Sequence, residues 1–385
     1  MLSFVLSAPL AFAAAPPTDP LPVPVARIEA PYGSGLGTAF DIDGDWLAAA
    51  SADFGGPVFL YRRSPVNGND WFLAQILSPG GSTDSVALDG TTLLVGLSNE
   101  AEVEVYELES QRWHLVQTLT STYYGFGETL ALDGDTMAVG AGFHFCYLGA
   151  FDESVHVFER TPGVPASWTS SAVLTPPGSS GIETSFGQSI AVHDDLVIAS
   201  EPVISGLCTG RKPAHVYRRD LGGPGNWGEE TLLAPPPIGS GSFGEFLDQF
   251  GDLALVGDRN DNVAVYDRNA QGPNSWARTA TIEVNSGDLV YGGNRLYVSI
   301  TLNRVSVYER HLGGENAWGL VGELPAPPSQ PQTLGTDLVL NHNTNRIELA
   351  LWANRNNNNP ERSIYVYSTP RSVRTMPRLG GPVSR

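Results

Sequence analysis

Asp41-Ile42-Asp43-Gly44-Asp45 is the richest of a set of acidic turns, with three carboxylates on alternate residues and a glycine for a tight bend. Carboxylates at that density suggest a hard cation. Calcium, however, takes roughly six to eight oxygens at a fixed distance, so a loop must wrap the ion. The other copies of the turn are LDGDT (132–136), LDGTT (88–92), VHDDL (192–196), QFGDL (249–253) and YGGNR (291–295). They hold two carboxylates at most and are too short to surround an ion. These acids are expected to form turns by bonding local backbone. No cofactor is expected, with calcium disfavoured.

His156 and His215 occupy equivalent repeat positions, but no third ligand shares their register, so packing explains them better than a metal. Arg63, Arg160, Arg219, Arg268 and Arg310 recur after an aromatic residue and are expected to be solvated charges on an outer rim, paired with nearby acids. There is no G-x-S-x-G elbow, H-E-x-x-H, P-loop or Cys-x-x-Cys, and no catalytic residue is assigned. Aromatics crowd one region: Tyr123 and Tyr124, then Phe143 and Tyr147 in a long connection that also holds Asp152. Aromatic side chains give contact area at low entropic cost, so these five are the candidate binding residues. A small core under the loop is the rival explanation.

The elements that must position these residues are repeats. FGETLALDGDTMAVGA (126–141) reads as two short strands joined by an Asp-Gly turn. It recurs from Phe186 and Phe243, and more loosely from Leu36, Ser82 and Leu334. Each hairpin is followed by a strand of the form apolar, any, apolar, aromatic, anchored by Tyr61, Tyr106, Phe158, Tyr217, Tyr266, Tyr308 and Tyr367. The alternation implies a strand with two distinct faces. Trp71, Trp113, Trp168, Trp227, Trp276 and Trp318 then open a further short apolar strand. Four strands per repeat and a period of 42–59 residues match propeller blades. The count leaves one outer strand missing, and VARIEAP (25–31) has its form. The fold class expected is therefore all-β: a single seven-bladed β-propeller of four-stranded antiparallel blades, closed by an N-terminal strand pairing with the last blade.

These signatures resemble the FG-GAP repeat family, the integrin-α-type β-propeller, and in particular its bacterial exported members. The resemblance spans residues 25–369. It implies that the connections after the second and fourth strands of each blade form a ligand-binding upper face. In many members the first turn carries a calcium loop, which is contracted here. The connections of blades 3 and 4 are long (141–154 and 200–214) and carry Cys146 and Cys208, placed to cross-link as a disulfide. Long loops on a rigid scaffold commonly hold function.

Twenty-two basic residues against 41 acidic ones give a net charge of −19. So acidic a body repels phosphate backbones and anionic membranes, which argues against nucleic-acid partners. Residues 1–15, MLSFVLSAPLAFAAA, resemble a secretory signal peptide, 16–24 a Pro-rich linker, and 370–385 a flexible basic tail. The two cysteines suit an oxidising compartment. A secreted, periplasmic or cell-surface monomer without a membrane span is expected. It would be a non-catalytic recognition, adhesion or interaction scaffold for protein or glycan. Rival classes are a secreted hydrolase or lyase using carboxylates at the central channel, and a structural envelope or matrix module. Inward-facing acids of raised pKa would favour the enzyme.

Overall fold

A computed structural model describes residues 20–369, except 32–34, 143–152, 162–163, 165–166, 177–184, 203–211, 238–242, 259–261, 285, 301–303, 328–332, 342–347 and 355–361. Its strands form seven four-stranded antiparallel sheets. Blades 1 to 6 span 36–77, 85–120, 130–174, 190–233, 243–283 and 286–323. In each, four consecutive strands, a to d, pair in chain order. Blade 7 supplies a to c from Thr333–Asn341, Glu348–Asn354 and Arg362–Ser368, and its d strand is Val23–Glu29. The chain therefore closes as a ring, with the N-terminal strand outermost on the last blade. That strand starts at Val23, within the Pro-rich stretch.

The apolar runs are dictated by where the blades meet. Among the described residues, seven hydrophobic clusters each straddle one pair of adjacent blades. The closing pair is among them: Ile28, Ala350, Ile364 and Val366 of blade 7 pack with Leu36, Leu47, Phe59 and Tyr61 of blade 1. Middle strands consequently lie between two neighbours and are buried on both sides, as at Thr92–Leu97 and Thr136–Ala141. Strand c has the two distinct faces its alternation implies, and each meets a different blade: Val58 and Leu60 pack toward blade 2, Phe59 and Tyr61 toward blade 7, so all four are buried. Strand d, at the circumference, keeps an exposed side.

The recurring tyrosine has a second role besides packing. Tyr61 donates its hydroxyl to the Glu29 carbonyl at 2.7 Å, Tyr217 to Thr175 at 3.2 Å, and Tyr367 to Pro325 at 2.9 Å. Tyr266 does the same with Ala234. Each bond reaches the end of the preceding blade's d strand, where a carbonyl has run out of sheet partners. The aromatic–Gly pair is equally specific. Gly127 and Gly187 lie at φ 98° and 84°, a region glycine enters without penalty. Their carbonyls accept Ser85 Oγ and Thr129 Oγ1 of the preceding blade, both at 2.7 Å. A side chain on Gly127 would meet the Glu102 carbonyl at 2.7 Å.

Candidate functional site

The seven a strands surround a central channel containing a cavity of about 410 Å³. Each is the inner edge strand of its sheet, so its channel-side N–H groups have no ladder partner. The turn acids bond across blades rather than locally as the sequence suggested, each to a turn N–H of the next blade. Asp43 accepts the Gly90 N–H at 2.7 Å, Asp89 that of Gly134 at 2.6 Å, and Asp133 that of Asp194 at 2.7 Å. Asn341 of blade 7 accepts the Gly44 N–H at 3.0 Å. At the same rung, blades 4 and 5 carry His193 and Phe250, whose rings lie 5.6 Å apart.

Three further aspartates stand on the a strands, Asp41 and Asp248 of them lining the cavity. Asp41 accepts from Ile42 N and Leu88 N, both at 2.7 Å. Asp248 accepts from Gln249 N at 2.8 Å and Tyr291 N at 2.6 Å. Asp288 accepts from Leu289 N at 2.9 Å and Leu338 N at 2.6 Å. One oxygen of each serves its own strand and the other serves the next blade. Burial dominates their ionisation, against these backbone donors. It lifts Asp41 and Asp248 to about 7, and Asp288, with Asp337 nearby, to about 8. Glu128, above them, is pushed to about 7 by burial and the charge of Asp84. Such values suit proton transfer. For the three aspartates, however, both oxygens are already engaged by backbone.

A pH dependence of stability follows. A carboxyl whose folded pKa lies above its unfolded value favours the fold when neutral, so its contribution is present below about pH 4 and lost as pH rises to about 8. His215 acts in the same direction. Burial would lower its pKa, but hydrogen bonds and charges from Glu201 and Glu229 outweigh burial and raise it. His156, lowered by burial alone, opposes this trend below its ordinary 6.5. Calorimetric melting temperatures should fall between about pH 5 and pH 8. The triple variant Asp41→Asn, Asp248→Asn, Asp288→Asn should show a flatter profile; an unchanged slope would rule these groups out as its source.

The recurring arginines are not solvated rim charges. Arg160 Nη1 reaches Glu107 of blade 2 at 2.9 Å, Arg219 Nε reaches Glu159 of blade 3 at 2.7 Å, and Arg310 Nη2 reaches Asp267 of blade 5 at 3.1 Å. Arg268 reaches Asp195 of blade 4 at 3.2 Å, and Arg63 contacts Glu348 of blade 7. Arg63, Arg160 and Arg219 also lie over Trp71, Trp168 and Trp227. Every one of the five therefore joins its blade to the preceding one, partly desolvated between an acid and its neighbours.

Blades 3 and 4 hold the remaining candidates. Tyr123 is half-buried, its ring edge-on to His156 at 4.8 Å. It packs against the apolar cluster between blades 2 and 3. Tyr124 is 55% exposed, and its carbonyl accepts the Gly142 N–H at 2.7 Å where the blade 3 loop departs. Phe143, Tyr147, Asp152, Cys146 and Cys208 lie outside the described residues. His156 is buried, 3.1 Å from Ser154 Oγ. His215 is held on both nitrogens, by Glu229 at 2.6 Å and Glu201 at 3.2 Å, with Lys212 3.7 Å from Glu201. Sequence reading missed this buried cluster, since Glu201 lies just beyond the strand before His215 and Glu229 on the strand after it. Among the described residues, no three His, Cys, Asp or Glu side chains converge as metal ligands, and no helix is long and apolar enough to cross a membrane.

Fold and channel together define a closed seven-bladed β-propeller whose repeated polar residues join blade to blade. No family model matches the chain, and no curated protein matches it in sequence. Among solved structures, it is similar to the β-propeller domain of Myceliophteria thermophila Cps50 (Swd1), with a TM-score of 0.60. That match covers 91% of this chain and 100% of the other at 14% identity, a likeness of fold.

Proposed function

We propose that the protein is an exported, non-catalytic recognition scaffold of the FG-GAP type, binding a protein or glycan through the upper-face loops of blades 3 and 4. The observation that carries this reading is Tyr124, an exposed aromatic on a loop anchored at Gly142 beside packed Tyr123. A rigid base under an exposed ring lowers the cost of ordering it on binding. The aromatic–Gly geometry supports the family assignment, since Phe126, Phe186 and Phe243 are buried and each is followed by a glycine at positive φ.

Crosslinking and pulldown from the native exterior should recover a partner. Tyr124→Ala should weaken its binding by about 2 kcal/mol, roughly thirtyfold in Kd. Binding unaltered by that change would move the site elsewhere. The near-neutral channel acids favour a hydrolase or lyase as a second reading. The backbone bonds that occupy Asp41, Asp248 and Asp288 weigh against it.

A further inference from the structure

The connection between strands c and d of blade 1, Ser64 to Asp70, contains the only Asn-Gly pair in the chain, Asn67-Gly68. The turn is exposed. The Asn67 side-chain carbonyl accepts the Asn69 N–H at 3.3 Å, and its amide nitrogen donates to Asp70 Oδ2 at 2.8 Å. The bond to its oxygen polarises the electrophilic carbon, and the bond to Asp70 fixes the side chain within the turn. Gly68 has no side chain to shield its backbone nitrogen, and open space surrounds the position its Cβ would take. On the other side, the Gly68 carbonyl accepts Arg63 Nη1 at 2.8 Å. Arg63 is the residue that grips Glu348 and the Gly44 carbonyl at the seam where blade 7 meets blade 1.

We propose that Asn67 is a site of spontaneous deamidation, and that its conversion loosens the closing seam of the ring. The Gly68 nitrogen loses its proton and bonds to Asn67 Cγ. The Cγ–Nδ2 bond breaks, and the amide group departs with that proton as ammonia, leaving a cyclic succinimide. Water then opens the ring at either carbonyl, giving an aspartyl or isoaspartyl linkage at position 67. No oxidation or reduction is involved. Either product sets a carboxylate against Asp70 in place of an amide donor. The isoaspartyl form also adds a methylene to the backbone, which displaces the Gly68 carbonyl from Arg63.

The test ages the full chain in mildly alkaline buffer and maps its peptides by mass. The peptide carrying residues 64–70 should gain about 1 Da, as expected when an amide becomes a carboxyl. Electron-transfer fragmentation should assign an isoaspartyl linkage at position 67. Conversion there should be several-fold faster than at Asn69, Asn226 or Asn274, which are also exposed but precede bulkier residues. Gly68→Ala should slow it several-fold, and should fold normally because φ at Gly68 is not left-handed and its surroundings are open. Aged wild type should melt below fresh protein, while aged Gly68→Ala should not. Conversion at position 67 no faster than at the other three asparagines would overturn the site. Full conversion without a fall in melting temperature would overturn the link to the seam.

Discussion

A chain that begins at Ala30 should melt far below the intact protein and should self-associate. Removing Val23–Glu29 takes away the outer strand of blade 7 and its six paired positions against Arg362–Ser368. Ile28, almost wholly buried in the cluster between blades 7 and 1, contributes about 1.5–3 kcal/mol by burial alone. Tyr61 loses the Glu29 carbonyl, and the bond from Arg27 Nε to Ser363 Oγ goes with it. Against a typical total stability of roughly 5–15 kcal/mol, these losses are large. They also uncover a full sheet edge on Arg362–Ser368, a template for pairing with another copy. Circular dichroism melts and light scattering would read both effects. A synthetic peptide of residues 20–31 should restore the melting temperature and suppress the self-association, which a nonspecific effect of truncation would not allow. A truncated chain that stays monomeric and melts unchanged would mean that the ring is held without its closing strand.

Closure was legible in the sequence because it is a matter of counting: seven c strands, six tryptophan-led d strands, and one unclaimed stretch of the same form at 25–31. What the polar residues do was not legible, because each acts on a residue one blade away. Asp43 looks like a local turn former until Gly90, 47 residues later, is brought beside it. The acid after the aromatic and the arginine after that read as a charged pair within one strand. In space, Glu107 pairs with Arg160 and Glu159 with Arg219, so the motif links successive copies of itself. A signal for the channel acids did exist. In the repeat register, Asp41 and Asp248 stand where other blades carry Ala87, Ala131, Ala191, Val290 and Val339. A charged residue among small apolar ones marks a position with a special partner.

Glu348→Ala should cost about 3–5 kcal/mol, the range for leaving one partner of a buried ion pair uncompensated. The Glu348 and Arg63 side chains are only 3% and 10% exposed. Glu348 starts strand b of blade 7, and Arg63 ends strand c of blade 1, so the pair spans the seam that only the chain's two ends can close. Asn341 reinforces it, holding Gly44 through both backbone groups and donating to Glu348 at 3.3 Å. Arg63 has alternatives in Asp45 at 3.1 Å and the Trp71 face at 4.5 Å, but neither belongs to blade 7. Arg304–Glu323 provides the contrast, a pair within one blade with side chains 54% and 41% exposed. Arg304→Ala should therefore cost under about 1 kcal/mol. Denaturant melts of both variants, with Arg63→Ala and the Arg63→Ala, Glu348→Ala double variant completing a cycle, would separate pair energy from seam packing. A cost for Glu348→Ala no greater than that for Arg304→Ala would show that apolar packing, rather than the ion pair, closes the ring.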